Sequence, residues 1–531
     1  MKKVVIVGGG TAGWFAAAKL KKEHSELDVT LIESPKIPII GVGESVTPHV
    51  VFFLNSLGIE EHEWMKHTGA IYKFANKFVD WTGPGEFQYF GFNYPTDVNL
   101  LKHEHAHATS ELDWFFNHNT VRTTDTLMQL LHQQQLTNFD QYFYSAFHYM
   151  QRNTSPFDGS EYLLNTAHSW AHHINAELAS KFVRDRVALP LGVNHIVSGV
   201  KTVGVDNQQC ITHLELEDDS KVTADLYVDA TGFHGVLTTQ LGWKYKQFKS
   251  NPIDRAWVCQ TDYADPKVEM ANCTLTIAEP HGWRFKLGLY HRIGNGYCFG
   301  SDYVSDQSAL DHFDQQVSLK KTNPRLIKWT PSRLEKLGHG NTVAIGLNCG
   351  FIEPLEANVL YTIVVSIQLL SQTISQSMGA TRLDFSGYNT MLTQSIDDIA
   401  NFILVHYTLS PRTDTEFWTS MRELGRRECH EDLVYEKYHD KFNTMHAALQ
   451  GLTLFPEYMW AQLAHAWKLN LDSWNKSKLS TLDLELTRMH YEHSENKNRL
   501  ISQHSENNYQ WLKQHVFDDL PFDSISLLGS N

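Results

Sequence analysis

Hydrophobic and polar positions change rhythm several times along this chain. Val4-Val5-Ile6-Val7 is an unbroken apolar run, as in a strand buried on both faces. Glycines follow it, and Trp14–Leu20 has helical character. Val29-Thr30-Leu31-Ile32 is a second strand pattern that stops at Glu33, so the first 33 residues predict a β-α-β unit. Residues 75–160, rich in aromatics, His, Asn and Gln, predict an irregular insertion. A helical pattern returns over Ser169–Phe182 and takes in His172 and His173. Strands are predicted at Val193–Val200, Cys210–Leu216 and Leu226–Val228, the last running into Asp229-Ala230-Thr231-Gly232. Residues 250–305 read as strand-rich, and Val343–Gly346 is one more buried strand before a helix from about Asn358. Beyond residue 385 the pattern is mostly helical, with Pro456 at a helix start before Tyr458–Trp467 and an amphipathic stretch at Thr481–Met489. Ser473–Ser480 and Ser494–Asn508 are polar enough for loops or exposed helix faces.

Composition narrows the function classes. The 531 residues are enough for three or four domains at roughly 150 residues each. With 42% apolar and 20% charged residues the chain is an ordinary globular one. Its 60 acidic against 45 basic groups argue against a nucleic-acid binder, which wants a basic face. Met1-Lys2-Lys3 and the apolar run after it mimic a signal peptide, but Gly8, Gly9, Gly10 and Gly13 interrupt the run. The longest apolar candidate for a membrane span, Val359–Leu370, contains Thr362, Ser366 and Gln368, so no span is expected. Six cysteines without a C-x-x-C pair fit a reducing, cytoplasmic setting.

The chemistry begins at Gly8-x-Gly10-x-x-Gly13, placed between the first strand and the first helix. Gly8 permits the tight turn, Gly10 lets a pyrophosphate approach the backbone, and Gly13 lets helix and strand pack closely. The helix N-terminus presents free N–H groups to the phosphates. Glu33 ends the second strand 20 residues after Gly13 and can accept from ribose hydroxyls. Asp229-Ala230-Thr231-Gly232 is an acid-bearing turn of the kind glutathione-reductase-like flavin enzymes place late in the FAD domain. No second G-x-G-x-x-G follows, so one dinucleotide is expected, and a flavin here needs a separate reductase.

Five segments in order then resemble the flavin-dependent tryptophan halogenases. They are Gly8–Trp14, the Gly41-Val42-Gly43-Glu44-Ser45-Val46-Thr47-Pro48 loop, Lys77-Phe78-Val79-Asp80-Trp81, Gly350-Phe351-Ile352-Glu353-Pro354-Leu355-Glu356, and His406-Tyr407 with Arg412, Asp414, Phe417 and Trp418. The resemblance implies reduced FAD, O2 and halide forming hypohalous acid. That oxidant passes through a tunnel to Lys77 and is directed onto an electron-rich, indole-like ring, with Glu356 as the partner carboxylate. It also implies that Gly8, Gly10, Thr11, Ala12, Gly13, Glu33, Gly43, Glu44, Val197, Asp229, Gly232, Leu347 and Leu360 contact the cofactor. The partners it implies are a small aromatic substrate, a separate flavin reductase and a second subunit in a homodimer.

The implied fold is α/β. A glutathione-reductase-like three-layer FAD-binding domain is assembled from residues 1–75, 165–240 and 335–385. A strand-rich substrate-side module comes from 76–164 and 241–334, and the C-terminal region 386–531 is mostly helical.

Three places depart from the family pattern. Its W-x-W-x-I-P signature becomes Trp283-Arg284-Phe285-Lys286-Leu287-Gly288, which keeps an aromatic wall while Gly288 loosens the backbone. This keeps a hydroxylating flavin monooxygenase as the alternative. Its Ser-Thr-Gly after the glutamate becomes Ala357-Asn358-Val359, which assigns the halide to the backbone N–H groups of Asn358 and Val359. Val359 disfavours the positive φ that a glycine there permits. The tryptophan-clasping residues have no clear match, and Phe455, Trp460 and Trp467 read as helix core before pocket wall. His103-Glu104-His105-Ala106-His107 reads as a polar loop, and no metal site is expected.

Overall fold

The computed structural model describes residues 2–36, 42–92, 127–136, 138–158, 161–162, 170–377, 382–439, 454–469 and 481–518. His103–His107, Gly41 and Ser473–Ser480 lie outside them. The chain is a mixed α/β protein with several sheets.

A six-stranded sheet runs in the order Asn194–Val197, Asp28–Glu33, Lys3–Val7, Leu226–Asp229, Thr342–Ala344 and Gly338–His339. Its first five strands pair in parallel and the edge strand pairs antiparallel. The unbroken apolar run of the first strand is explained by burial on both faces, with Val4 to Ile6 at most 2% exposed. Helix Thr11–Glu23 covers this sheet, and Ala16, Ala17 and Ala18 are fully buried along it. Helix Asn358–Gln376 packs against it in turn. The stretch Leu355–Gln376 is apolar and long enough to cross a membrane, yet 83% of its apolar window is buried inside the fold.

A seven-stranded sheet runs Arg325–Lys328, Arg255–Thr261, Arg292–Phe299, Gly282–Leu289, Cys273–Glu279, Ala75–Val79 and Phe87–Gly91. The last two strands correct the expectation of an irregular insertion at its start. Their apolar alternation is broken by Asn76, Lys77 and Gln88, so the period of two is hard to see. Cys273–Glu279 pairs with Ala75–Val79 in parallel, while the other pairings in this sheet are antiparallel.

His172 and His173 lie in a strand, Ala171–Ile174, and not in the predicted helix, which begins at Ala176. That strand is paired on both sides, by Glu44–Ser45 and by Ile71–Lys73, and both histidines are fully buried. Pairing on two edges overrides the local helical pattern. Their side chains point to opposite faces: His173 Nε2 meets Thr274 Oγ1 at 2.7 Å, and His172 Nε2 meets Glu61 at 3.0 Å. Among the described residues no group of His, Cys, Asp and Glu side chains is arranged to hold a metal.

The C-terminal part is helical, with Ser386–Thr408, Glu416–Arg427, Glu457–Ala466, Thr481–Ser502 and Asn508–His515 the main members. Phe455, Trp460 and Trp467 are buried here; Phe455 stacks on Phe402 at 3.9 Å, and Trp467 Nε1 donates to the His406 carbonyl at 2.9 Å.

The first turn tolerates no side chain at Gly13, where a Cβ sits 1.8 Å from the Gly8 carbonyl oxygen. Backbone cannot yield as a side-chain tip does. Gly13→Ala is expected to lower stability by about 3 kcal/mol or more. A thermal midpoint within a degree of wild type contradicts this.

Candidate active site

The nucleotide cradle is built by the first β-α-β unit. Gly8 has φ 117°, donates its N–H to the Ile32 carbonyl at 2.9 Å, and approaches the Ala230 backbone so closely that a Cβ meets Ala230 O at 2.4 Å. Gly10 faces open space, and so does Gly232 at φ 60°. A concave backbone surface with room at two glycines and an uncapped helix N-terminus fits a dinucleotide. Glu33 stands at the rim, partly exposed, with Oε2 3.0 Å from His195 Nε2. Val197 pairs with Glu33 on the neighbouring strand and is exposed. Thr11 turns its hydroxyl inward to the Ala176 carbonyl at 3.2 Å, and Ala12 packs against Gly346.

At two expected cofactor positions the side chain is turned into the protein, which leaves the backbone to meet a cofactor. Asp229 is fully buried and its carboxylate accepts from Thr231 N, Thr231 Oγ1, Leu237 N and Thr238 N. With both oxygens engaged it holds the turn and the N-terminus of helix Val236–Gln240 in place. Leu360 is 1% exposed, so its side chain belongs to the helix core.

A cavity of about 170 Å³ opens beyond the cradle. Gly43, Glu44 and Leu347 line it, as do Trp283, Phe285 and Leu287, which alternate onto one face of their strand. Gly43 has φ 108° and lies where a Cβ meets Leu287. Enclosure pushes the Glu44 carboxyl up to about 7. Trp283 is fixed from behind: its Nε1 donates to Glu353 Oε1 at 3.1 Å, and Tyr407 OH donates to the same oxygen at 2.5 Å. Phe285 fills the space over Gly296. Gly288 does not loosen the strand. It pairs with Ile293, and its missing side chain makes room for the Tyr263 hydroxyl.

The far end of the cavity is the turn before helix Asn358–Gln376. The left-handed residues there are Glu356 at φ 65° and Ala357 at φ 57°. Val359 lies inside the helix, so its aversion to positive φ is not tested; the strain falls one turn earlier. The Asn358 side chain ties the turn together, donating to Glu353 O at 2.8 Å and Leu355 O at 2.6 Å. No side chain caps this helix, and its first N–H groups have no partner in the helix itself.

Glu356 is buried. Its Oε2 accepts from Asn76 Nδ2 at 2.7 Å, and its Oε1 lies 3.3 Å from His406 Nε2. Asn76 and Lys77 are neighbours on one strand, so they face opposite ways. Lys77 places its Nζ 4.2 Å from the centre of the half-exposed Phe87 ring, away from Glu356. The structure therefore does not bring Lys77 and Glu356 together.

The lysine that feels Glu356 is Lys73, which the sequence reading missed. It is fully buried, donates to the Val46 carbonyl at 3.2 Å and lies 4.6 Å from the Phe92 ring centre. Burial brings its ammonium down to about 7, and the Glu356 charge opposes that shift. The available signal was a repeated Lys-Phe pair, at Lys73-Phe74 and again at Lys77-Phe78.

A family model described as tryptophan halogenase matches residues 3–478. The chain belongs to the tryptophan halogenase family. It is 30% identical over 509 residues to tryptophan 7-halogenase RebH of Lentzea aerocolonigenes, covering 87% of this chain and 92% of that one. It is 31% identical to tryptophan 6-halogenase SttH of Streptomyces toxytricini, covering 78% and 80%. In structure it is similar to the tryptophan halogenase of Shewanella frigidimarina, with TM-score 0.83, 24% identity and 98% of each chain covered. This halogenase is a flavin-dependent oxidoreductase that uses FADH2 from a separate reductase, O2 and a halide. The family match favours halogenation over the hydroxylating alternative.

The Glu353 carboxyl is pushed up to about 8 by burial. The folded state therefore keeps its proton in a range where the unfolded chain releases it, and stability falls as pH rises from about 4.5 to 8. Glu353→Gln keeps an acceptor for Trp283 and Tyr407 and removes that slope. The wild-type thermal midpoint is expected to fall relative to that of Glu353→Gln as pH rises toward 8; parallel curves for the two proteins refute it.

Proposed function

We propose that this halogenase acts on an indole-like aromatic, with Lys73 and Glu356 as its catalytic pair. The observation that carries this is the burial of Lys73 within the field of Glu356, a carboxylate at the far end of the cavity. When bound, reduced FAD with O2 and halide supplies the electrophilic halogen. Lys73, with an amine partly uncharged near neutral pH, meets that electrophile, as hypohalous acid, by hydrogen bonding or by an N–halogen bond formed as the halogen–oxygen and an N–H bond break and water leaves. Glu356 faces the cation that develops on the ring and takes its proton. The backbone N–H groups of Asn358 and Val359, at the uncapped helix start, are the halide donors, and either chloride or bromide meets that requirement. Trp283 and Phe285 wall the cavity and shed water.

The same reading takes the six-stranded sheet and its helices as a glutathione-reductase-like FAD-binding domain from residues 1–75, 165–240 and 335–385. The seven-stranded sheet belongs to the substrate-side module, 76–164 and 241–334, and 386–531 is the helical region. The relatives named for tryptophan support an indole over a phenol. A homodimer and a cytoplasmic setting, the latter in keeping with six free cysteines, complete the proposal.

The test couples the full chain to a flavin reductase with NADH, FAD, O2 and bromide, and offers tryptophan, indole and phenols. Mass spectrometry is expected to show a bromine doublet on an indole. Lys73→Ala is expected to lose about a hundredfold or more in rate, within the range for a lost acid–base group, and Lys77→Ala less than about threefold. The reverse order of the two variants overturns the assignment.

A further inference from the structure

The contact between Glu356 and His406 poses a proton-counting problem. His406 is fully buried in helix Ser386–Thr408, and its Nδ1 lies 2.7 Å from the Phe402 carbonyl oxygen. A carbonyl oxygen only accepts, so Nδ1 carries a hydrogen and donates it. Nε2 then faces Glu356 Oε1 at 3.3 Å, and neither atom has a hydrogen-bond partner among the described residues. A neutral imidazole protonated at Nδ1 presents a lone pair at Nε2. Set against a carboxylate oxygen at this buried position, that lone pair is repelled.

We propose that His406 is an imidazolium paired with a Glu356 carboxylate, and that it is the positioning residue that keeps Glu356 ionised and aimed at the substrate ring. The surroundings favour a cation. Phe78 stacks on the His406 ring at 5.0 Å with planes 25° apart. Phe402, Trp467 and Phe90 approach it at 4.8, 5.4 and 5.5 Å. The charged groups facing the pair are few. Lys73 acts on Glu356 from the Ile71–Lys73 strand. Lys77 and Tyr89 point away on the far face of their strands, Tyr407 turns to Glu353, and His465 lies against Phe139.

The inference rests on Glu356 as the acceptor of the ring proton. In that step the ring C–H bond breaks and its electron pair restores aromaticity. The proton goes to the Glu356 carboxylate, while the imidazolium stays charged throughout.

The experiment uses the full-length protein labelled with 15N-histidine, with His406→Gln to assign the resonance. A correlation spectrum between ring carbons' protons and ring nitrogens is expected to show both His406 nitrogens protonated in wild type from pH 6 to 8.5. In Glu356→Gln it is expected to show a neutral ring with hydrogen on Nδ1 only. A neutral His406 in wild type overturns the pair. His406→Gln, whose amide still donates to Glu356 but holds no charge, is expected to lose at least tenfold in halogenation kcat and to change the pH profile. Substrate KM is expected to hold. A variant that loses FAD affinity and thermal stability with an unchanged pH profile has lost only packing, and overturns the positioning role. If Glu356→Gln halogenates at the wild-type rate while the spectrum shows the imidazolium, the reading of Glu356 fails and the pair itself stands.

Discussion

A carboxylate withdrawn from water must be given hydrogen-bond donors, a countercharge or a proton, and the interior of this halogenase is arranged around that demand. Asp229 is satisfied by a turn and a helix N-terminus, and it fixes the turn whose Ala230 backbone packs against Gly8. Glu353 is satisfied by Trp283 and Tyr407, and it sets the aromatic wall of the cavity. Glu356 receives one amide from Asn76, faces His406 and acts on Lys73. Each buried acid therefore fixes a different part of the site; Glu353 and Glu356 share one segment, and Asp229 reaches it only through tertiary packing. Removing one partner exposes the desolvation cost of the other, which is larger than the worth of the hydrogen bond itself.

Much of this was readable in the sequence where local pattern and global placement agree. The β-α-β unit with its glycines is such a case: the apolar run, the tight turn and the acid at the strand end all demand one structure. Helix Asn358–Gln376 and the helical C-terminal region followed from periodicity in the same way. Reading stopped where the period of two was hidden, as at Ala75–Val79 and Phe87–Gly91, and where pairing on both edges overrode a helical pattern, as at His172-His173.

The site shows the same division. Glu356 stands out because it ends a long, distinctive segment. The two lysines are hard to tell apart in sequence because two Lys-Phe pairs lie four residues apart, and only three-dimensional placement separates them. An even spacing within one regular strand leaves side chains on one face, but Phe74 separates the Ile71–Lys73 and Ala75–Val79 strands, which pair with different neighbours. Lys73 consequently enters the interior beside Val46 while Lys77 stays near the surface. Asp229 and Asn358 illustrate a second limit. Both are polar residues at the right place, and both turn their side chains to the backbone of their own turns, which spacing alone does not reveal.

The strand order of the six-stranded sheet carries a consequence for how the enzyme is made. Lys3 already meets Asp225 across a separation of 222 residues, and the strand beside Leu226–Asp229 arrives only with Thr342–Ala344. Chain synthesis supplies these pieces over tens of seconds at roughly 5–20 residues per second. The apolar first strand can pair early with Asp28–Glu33 but must wait through that interval for Leu226–Asp229, with one edge open to other chains. Slow closure of such long loops makes the newborn polypeptide dependent on protection from aggregation, and yield in a foreign host becomes a question of folding time more than of final stability.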